Sequence, residues 1–331
     1  MSKIVRFPGP KKPKFSFIDL FAGIGGFRIA CQNIGGKCVF SSEWDINAQK
    51  TYENNFGDKP YGDITLEETK DAIPNGFDLL CAGFPCQAFS IAGYRRGFED
   101  TRGTLFFDVA EVIRRRRPKA VYLENVKNLK AHDNGNTFKV IKATLEGLGY
   151  FVYDKVMSPD EYANIPQNRE RIFIVAFDKE QVPNYLDFSF PDCVPLTKTI
   201  HDCIDVSVTD KRFFYTEKMG CYEDIKAGMT SKDTIYQWRR VYLRENKRNI
   251  CPTLTANMGT GGHNVPLVLT DKGIRKLTPN ECLNFQGFPS SYVFPEDISI
   301  AACYKQAGNS VAVPLIQKVC QQIWLVIGQN L

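Results

Sequence analysis

No stretch of this 331-residue sequence approaches eighteen uncharged apolar residues, so no membrane span is expected. The start, MSKIVRFPGPKKPK, has no apolar core segment and does not read as a signal peptide; residues 1–14 read as a basic tail. GxxxxGK[ST] is absent, which argues against ATP, and there is no internal repeat or low-complexity tract. Charge of one sign is also scarce in excess. A net charge of +5 over 37 acidic residues permits a nucleic-acid partner without requiring one, because only clustered basic charge leaves an electrostatic footprint. Eleven cysteines would leave one over from a complete disulfide framework, and Cys31 and Cys81 sit in apolar runs. Free thiols behave there as small hydrophobes, which favours a reducing, cytoplasmic setting.

From Phe15 to about Phe177, short β-branched and aromatic runs alternate with helical periods. Strands are expected at Phe15–Phe21, Lys37–Ser42, Phe77–Gly83, Ala120–Glu124, Phe151–Val156 and Arg171–Phe177. Asp45 should cap the helix INAQKTYENNF, with Gly57 just past its end. This alternation argues for an α/β fold: a mostly parallel, Rossmann-like sheet covered on both faces. After a Pro- and Asp-rich linker, short β-like pieces with glycines and interspersed cations suggest a smaller, mostly β domain over 193–302. The first domain is then 15–192, completed by a returning C-terminal segment, 303–331.

The first strand runs into Asp19-Leu-Phe21-Ala-Gly23-Ile-Gly25-Gly26-Phe. Glycines at such a turn let a ligand approach the backbone, though a tight turn alone would look the same. Glu43, about twenty residues on, stands where open α/β sheets bind ribose hydroxyls. Trp44 offers a flat face for adenine, and Asp63 is expected at the tip of a short further strand. On these residues alone a nicotinamide cofactor stays open.

Cys86 lies in Gly83-Phe84-Pro85-Cys86-Gln87, on the loop beyond a strand and in the same crevice. Most lone cysteines are structural, but Pro85 and Gln87 suit an exposed loop. Glu124, in Tyr122-Leu-Glu124-Asn125-Val126, falls at the same sheet edge. Arg169 and Arg171, in Gln167-Asn-Arg-Glu-Arg171, alternate on an extended chain and need an anionic partner if buried.

DLFAGIGGF, Pro85-Cys86-Gln87, Glu124-Asn125-Val126, QNRER, the segment Arg275–Pro289 and Gly308-Asn309-Ser310, in that order, resemble the motifs of the DNA (cytosine-5) methyltransferases of bacterial type II restriction–modification systems. The resemblance runs from Phe15 to the C-terminal segment, except about Cys193–Thr270. It implies a methyltransferase fold that binds S-adenosyl-L-methionine, with a target recognition domain, acting on a flipped-out cytosine in a short duplex DNA site. It makes Cys86 the nucleophile adding to C6, which renders C5 electron-rich. Glu124 would then hold N3, Arg171 would contact O2 and keep Glu124 in place, and Arg169 would lie near the phosphate or thiol. Cofactor contacts would include Phe21, Gly23, Gly25, Glu43, Trp44, Asp63, Ile64, Pro85, Leu105, Asn309 and Ser310. No metal is implied.

DNA would be met by Gln87, and by Ser90 on a closing loop, about Phe89–Thr101, hinged at Gly93 and Gly97. It would also be met by Arg240 and Arg244 of a cationic run, by Thr253 and Leu254 of a Thr-Leu element, and by Gly261 and Gly262. As a strand, that run would put Tyr236, Trp238, Arg240, Tyr242 and Arg244 on one face, arginines reading guanine edges. Arg114–Arg117 read instead as a solvated helix terminus. Action on one strand at a time suggests a monomer, and the resemblance implies a functional pairing with a restriction endonuclease. An RNA (tRNA) cytosine-5 methyltransferase is the alternative on this fold, but the Cys-Phe-Thr tripeptide of that branch is absent. A zinc deaminase needs P-C-x-x-C, and the matching position here is Phe89.

Overall fold

A computed structural model describes residues 5–85 and 105–330. Cys86, Gln87, Ser90 and the expected closing loop lie outside the described residues. By contacts the chain divides into two units: residues 1–157, 170–192 and 316–331, and residues 158–169 with 193–315. Residues 158–169 and 303–315, assigned above to the first domain, thus group with the second unit.

The first unit is built on a six-stranded sheet. Its strands are β1 (Phe15–Leu20), β2 (Gly36–Ser42), β3 (Leu79–Ala82), β4 (Ala120–Val126), β5 (Tyr150–Met157) and β6 (Arg171–Asp178), in the order β2-β1-β3-β4-β6-β5. The first four run parallel; β6 is antiparallel to both β4 and β5. Side chains alternate across a strand, so each strand feeds two cores. Ile18, Leu20, Leu80, Ala82, Val121 and Leu123 share one core with Phe106, Val109 and Ile113 of the helix Leu105–Arg116 and with Ile141 and Leu145 of the helix Asn136–Gly147. On the other face Phe27 stacks edge-on to Tyr122, and Phe15 stacks on Trp324 at 5.2 Å. There the helices Gly26–Asn33 and Val313–Ile327 cover the sheet, with Cys31 Sγ 3.9 Å from Cys81 and 3.3 Å from Cys320. The ten described cysteines are free thiols.

Asp45 caps its helix as expected, accepting from the amides of Asn47 and Ala48, and Gly57 ends it in the left-handed region. The short strand expected before Asp63 does not form. Instead Tyr61 makes one isolated bridge to Ser42, because Pro60 and Gly62 leave only one residue free to pair. The arginine quartet closes the helix Leu105–Arg116 half-exposed, as expected of a helix terminus, and also finds polar partners. Arg114 and Arg115 pair with Glu111, Arg115 also with Glu67, Arg116 donates to Asn75, and Arg117 pairs with the fully buried Asp178.

The second unit carries a four-stranded antiparallel sheet of β7 (Tyr236–Trp238), β8 (Leu243–Glu245), β9 (Leu267–Thr270) and β10 (Gly273–Lys276), ordered β10-β9-β7-β8. Its small core holds Ile225, Met229, Tyr236, Trp238, Leu267 and Ile274. The cationic run is a hairpin rather than one strand. Arg239–Tyr242 turn between β7 and β8, and Arg240 adopts φ 63°. Tyr236 and Trp238 therefore point inward to the core and do not share a face with the arginines. Among the described residues, Ile300–Ile327 is the stretch apolar enough to be weighed as a membrane span; it breaks at Ser310–Ala312, and 61% of its most apolar window is buried.

Candidate active site

The parallel strands end together, and the order of the chain puts chemistry on that edge. β1 runs into a turn where Phe21, Gly23 and Gly25 have φ of 56°, 55° and 83°. A Cβ on Gly25 would stand 2.3 Å from the Phe56 ring, so only glycine closes this turn. β2 delivers Glu43, 8% exposed, whose two carboxylate oxygens accept from the amides of Gly23 and Asp45, each at 2.8 Å. Burial raises the Glu43 pKa, and these two amide bonds oppose the rise. Each oxygen keeps a second lone pair for a hydroxyl donor. Beside it the Trp44 side chain is 76% exposed, a large apolar face left for a flat partner. Asp63 accepts from the Thr65 amide at 2.9 Å, and Ile64 is buried.

β3 ends at Ala82 and leads through the buried Phe84 to the exposed Pro85, the residue before Cys86. Asn125, 3% exposed on β4, donates from Nδ2 to the Phe84 carbonyl at 2.8 Å, while its Oδ1 accepts from the Val126 amide at 2.8 Å. Both ends of this amide are used, so its orientation is fixed and the chain two residues before Cys86 is pinned.

β6 explains how Arg171 reaches the same edge. Being antiparallel to β4, it begins where β4 ends, with Arg171 opposite Val126 and Phe173 opposite Glu124. Arg171 and Glu124 are thus diagonal neighbours, within reach for long side chains. Arg171 Nε lies 3.0 Å from Glu124 Oε1, with both side chains largely buried. Glu124 Oε2 would lie 3.7 Å from a Cβ on Gly83, which ties it to the β3 exit. The carboxylate partner expected for a buried arginine is found for Arg171.

Arg169 behaves differently. It belongs to the second unit and is 3% exposed, and its guanidinium donates to main-chain carbonyls: Leu254 at 2.7 Å, Gly308 at 3.2 Å and Ser310 at 2.5 Å. It does not share one side of an extended strand with Arg171, because β6 starts only at Arg171. Asn309 is exposed at the end of the helix Ile300–Asn309, and Ser310 follows as its cap.

Of the residues assigned to DNA, Arg240 and Arg244 are exposed on the hairpin, and Gly261 and Gly262 are exposed with φ of 82° and 64°. The Thr253 hydroxyl donates to the Asn168 carbonyl at 2.8 Å. The Leu254 side chain is buried, so it offers DNA no apolar surface. Asn125 and the Arg275–Glu281 pair carry roles that pattern reading left unassigned. Both members of that pair are 1% exposed, joined by bonds of 2.7 and 2.8 Å, and Glu281 also closes a capping box with Thr278. The spacing T-P-N-E was the available signal.

The residues present suit an adenosyl group: a fixed, buried carboxylate with free lone pairs, an exposed indole and a glycine turn open to close approach. The family model for C-5 cytosine-specific DNA methylase matches residues 15–324. The chain is 52% identical to the type II methyltransferase M.Bsp6I of Bacillus sp. (strain RFL6), covering 92% of this chain and 97% of that protein. It is 52% identical to M.HpaII of Haemophilus parainfluenzae (96% and 91% covered) and 42% identical to M.HhaI of Haemophilus parahaemolyticus (93% of each). In fold it is similar to the S. pombe Dnmt2 methyltransferase, with a TM-score of 0.70 at 17% identity over 94% of this chain and 98% of that one. A putative DNA modification methyltransferase encoded within an E. coli prophage gives 0.65 at 18% identity, over 95% and 99%. The chain belongs to the C-5 cytosine-specific DNA methylase family.

Proposed function

We propose that this enzyme transfers a methyl group from S-adenosyl-L-methionine to carbon 5 of a cytosine flipped out of duplex DNA, with Cys86 as covalent nucleophile. The observation that carries the reading is the buried Glu124–Arg171 pair beside the β3 exit, where Asn125 holds the chain two residues before Cys86. S-adenosyl-L-methionine supplies an electrophilic methyl group. Phe21, Gly23, Gly25, Glu43, Trp44, Asp63, Ile64, Pro85, Leu105, Asn309 and Ser310 would hold it, Glu43 at the ribose and Trp44 against the adenine.

Carbon 5 of cytosine is a poor nucleophile. The Cys86 thiolate adds to C6, its electron pair forming the C–S bond, and the ring π pair shifts toward C5. Glu124 holds N3, where the displaced charge would otherwise collect, and Arg171 holds Glu124 and the O2 edge. The C5 pair then forms the bond to the methyl carbon, the donor's sulfur keeping the pair of the bond it loses; the C5 proton passes to solvent, and its electron pair restores the double bond as the Cys86 sulfur departs with the C–S pair. Arg169 acts at one remove, by fastening the carbonyls on either side of Asn309. In the second unit, Arg240, Arg244, Gly261 and Gly262 would face DNA, with Gln87 and Ser90 beside the flipped base. Thr253 and Leu254 would support that surface from behind. The enzyme would act as a cytoplasmic monomer whose product protects DNA from a restriction endonuclease of the same site.

The test is transfer of labelled methyl groups to duplex DNA, with a 5-fluorocytosine duplex trapping the protein covalently. With fluorine at C5 no proton can leave, so the Cys86 adduct persists. Label in transfer RNA but not in DNA would overturn the reading.

A further inference from the structure

Among the cations of the run Arg239–Arg248, Arg248 keeps 57% of its side chain exposed but reaches a buried carboxylate with one nitrogen. Its Nη2 donates to Asp160 Oδ2 at 2.7 Å, and the Asp160 side chain has no solvent exposure at all. Asp160 Oδ1 accepts from the Ser158 hydroxyl, and Ser158 Oγ accepts in turn from the backbone amide of Arg169 at 3.1 Å. A continuous polar chain thus runs from the foot of the β7–β8 hairpin to the residue whose guanidinium fastens Leu254, Gly308 and Ser310. The Arg248 backbone is bent to reach it: Arg248 and Asn249 adopt φ of 67° and 52°, in the left-handed region that side chains other than glycine rarely enter. Both flanks of the bend are fixed. Before it, the amide of Asn246 donates to Ile235 O at 2.9 Å, and Thr234 Oγ1 donates to Asn246 O at 2.8 Å. Beyond it, Cys251 exchanges main-chain bonds with Pro166 and Asn168, at 2.8 and 2.9 Å. The segment after β8 is therefore tied to residues 158–169 both through the Arg248–Asp160 pair and through the main-chain bonds of Cys251.

We propose that Arg248 and Asp160 form a positioning latch that couples the target-reading hairpin to Arg169, so that engagement of the correct site sets the geometry for methyl transfer. This rests on the function proposed above. With its charge offset by the buried Asp160 carboxylate, Arg248 acts on turnover more than on DNA affinity.

The experiment compares wild type, R248Q, R248K, D160N and the double variant R248Q/D160N, using labelled methyl donor and a duplex bearing the recognised site. For R248Q, kcat falls about tenfold, while KM for DNA stays within about threefold. The slope of log Kd for DNA against log salt stays unchanged, because no phosphate contact is lost. R248K restores most of the rate, and the double variant is no slower than D160N alone, as expected for residues acting as one unit. A salt slope reduced by about one with a raised KM would make Arg248 a phosphate contact and overturn the latch, as would effects that multiply in the double variant. Should R248Q not fold, the isosteric D160N is read by the same split, and an unchanged kcat there overturns the proposal. Wild type that labels no DNA defeats the parent function. Active wild type with unaffected variants defeats the latch alone.

Discussion

Cys86 is one of eleven cysteines, and nothing in its own side chain separates it from the rest. Its neighbours do. The ten described cysteines are mostly buried among apolar groups, whereas the exit of β3 leads toward a fixed carboxylate and guanidinium. Cys86→Ser is expected to abolish methyl transfer while leaving DNA binding within a few-fold, as gel-shift and labelling assays would show. Glu124→Gln keeps shape and loses the carboxylate, and kcat should fall by about 10²–10⁴, the range of a positioned acid–base group.

Glu43 adds a pH dependence with a definite sign. Burial raises its pKa above the ordinary glutamate value, so the fold takes up a proton there more readily than the unfolded chain. As a ribose acceptor the carboxylate is the binding form. Cofactor affinity should then weaken as pH falls toward, and through, this raised value, earlier than for an ordinary glutamate. The same raised pKa makes the charged form costly to the fold, so this group's contribution to stability declines as pH rises through that window. Titration of cofactor binding by calorimetry, with Glu43→Gln as a pH-independent control, checks it. Sequence pattern located Glu43, Glu124 and Arg171, because each stands at a strand end. It assigned nothing to Asn125, whose bond to Phe84 crosses 41 positions and has no local signature.

Elements show where local pattern reaches its limit. Six strands of the large sheet were legible from β-branched runs and punctuation, within one or two residues at most ends. The antiparallel entry of β6 was not, although it alone explains why Arg171 meets Glu124. The Tyr236–Asn249 run failed as a strand because alternation of aromatics and cations does not reveal a turn; Arg240 enters the left-handed region without a glycine to announce it.

Two motif elements gain structural reasons. A Cβ on Gly308 would stand 2.1 Å from the Thr255 carbonyl carbon, which is backbone and cannot yield cheaply. Gly308→Ala should cost about 3 kcal/mol in urea unfolding, at the upper end of overpacking. Glu281→Ala leaves the buried Arg275 unpaired and opens the capping box, so a loss of about 3–5 kcal/mol is expected. Either variant unfolding with wild-type stability would remove these reasons.

On the scale of the whole chain, alternation of strand and helix made the α/β class legible, and the compositional change after Phe177 marked a second unit. The boundaries were less so. Residues 158–169 group with 193–315 because pairings such as Gln167 with Cys251 and Arg169 with Leu254 link positions some 85 apart, which no local reading of either segment contains.

The central claim is tested most directly by bisulfite sequencing of DNA from a methylation-free bacterium expressing this protein, beside one expressing Cys86→Ser. The account predicts protected cytosines at one short recurring site with the wild-type chain and none with the variant. Wild-type DNA with no protected cytosine, or protection that survives Cys86→Ser, would contradict it.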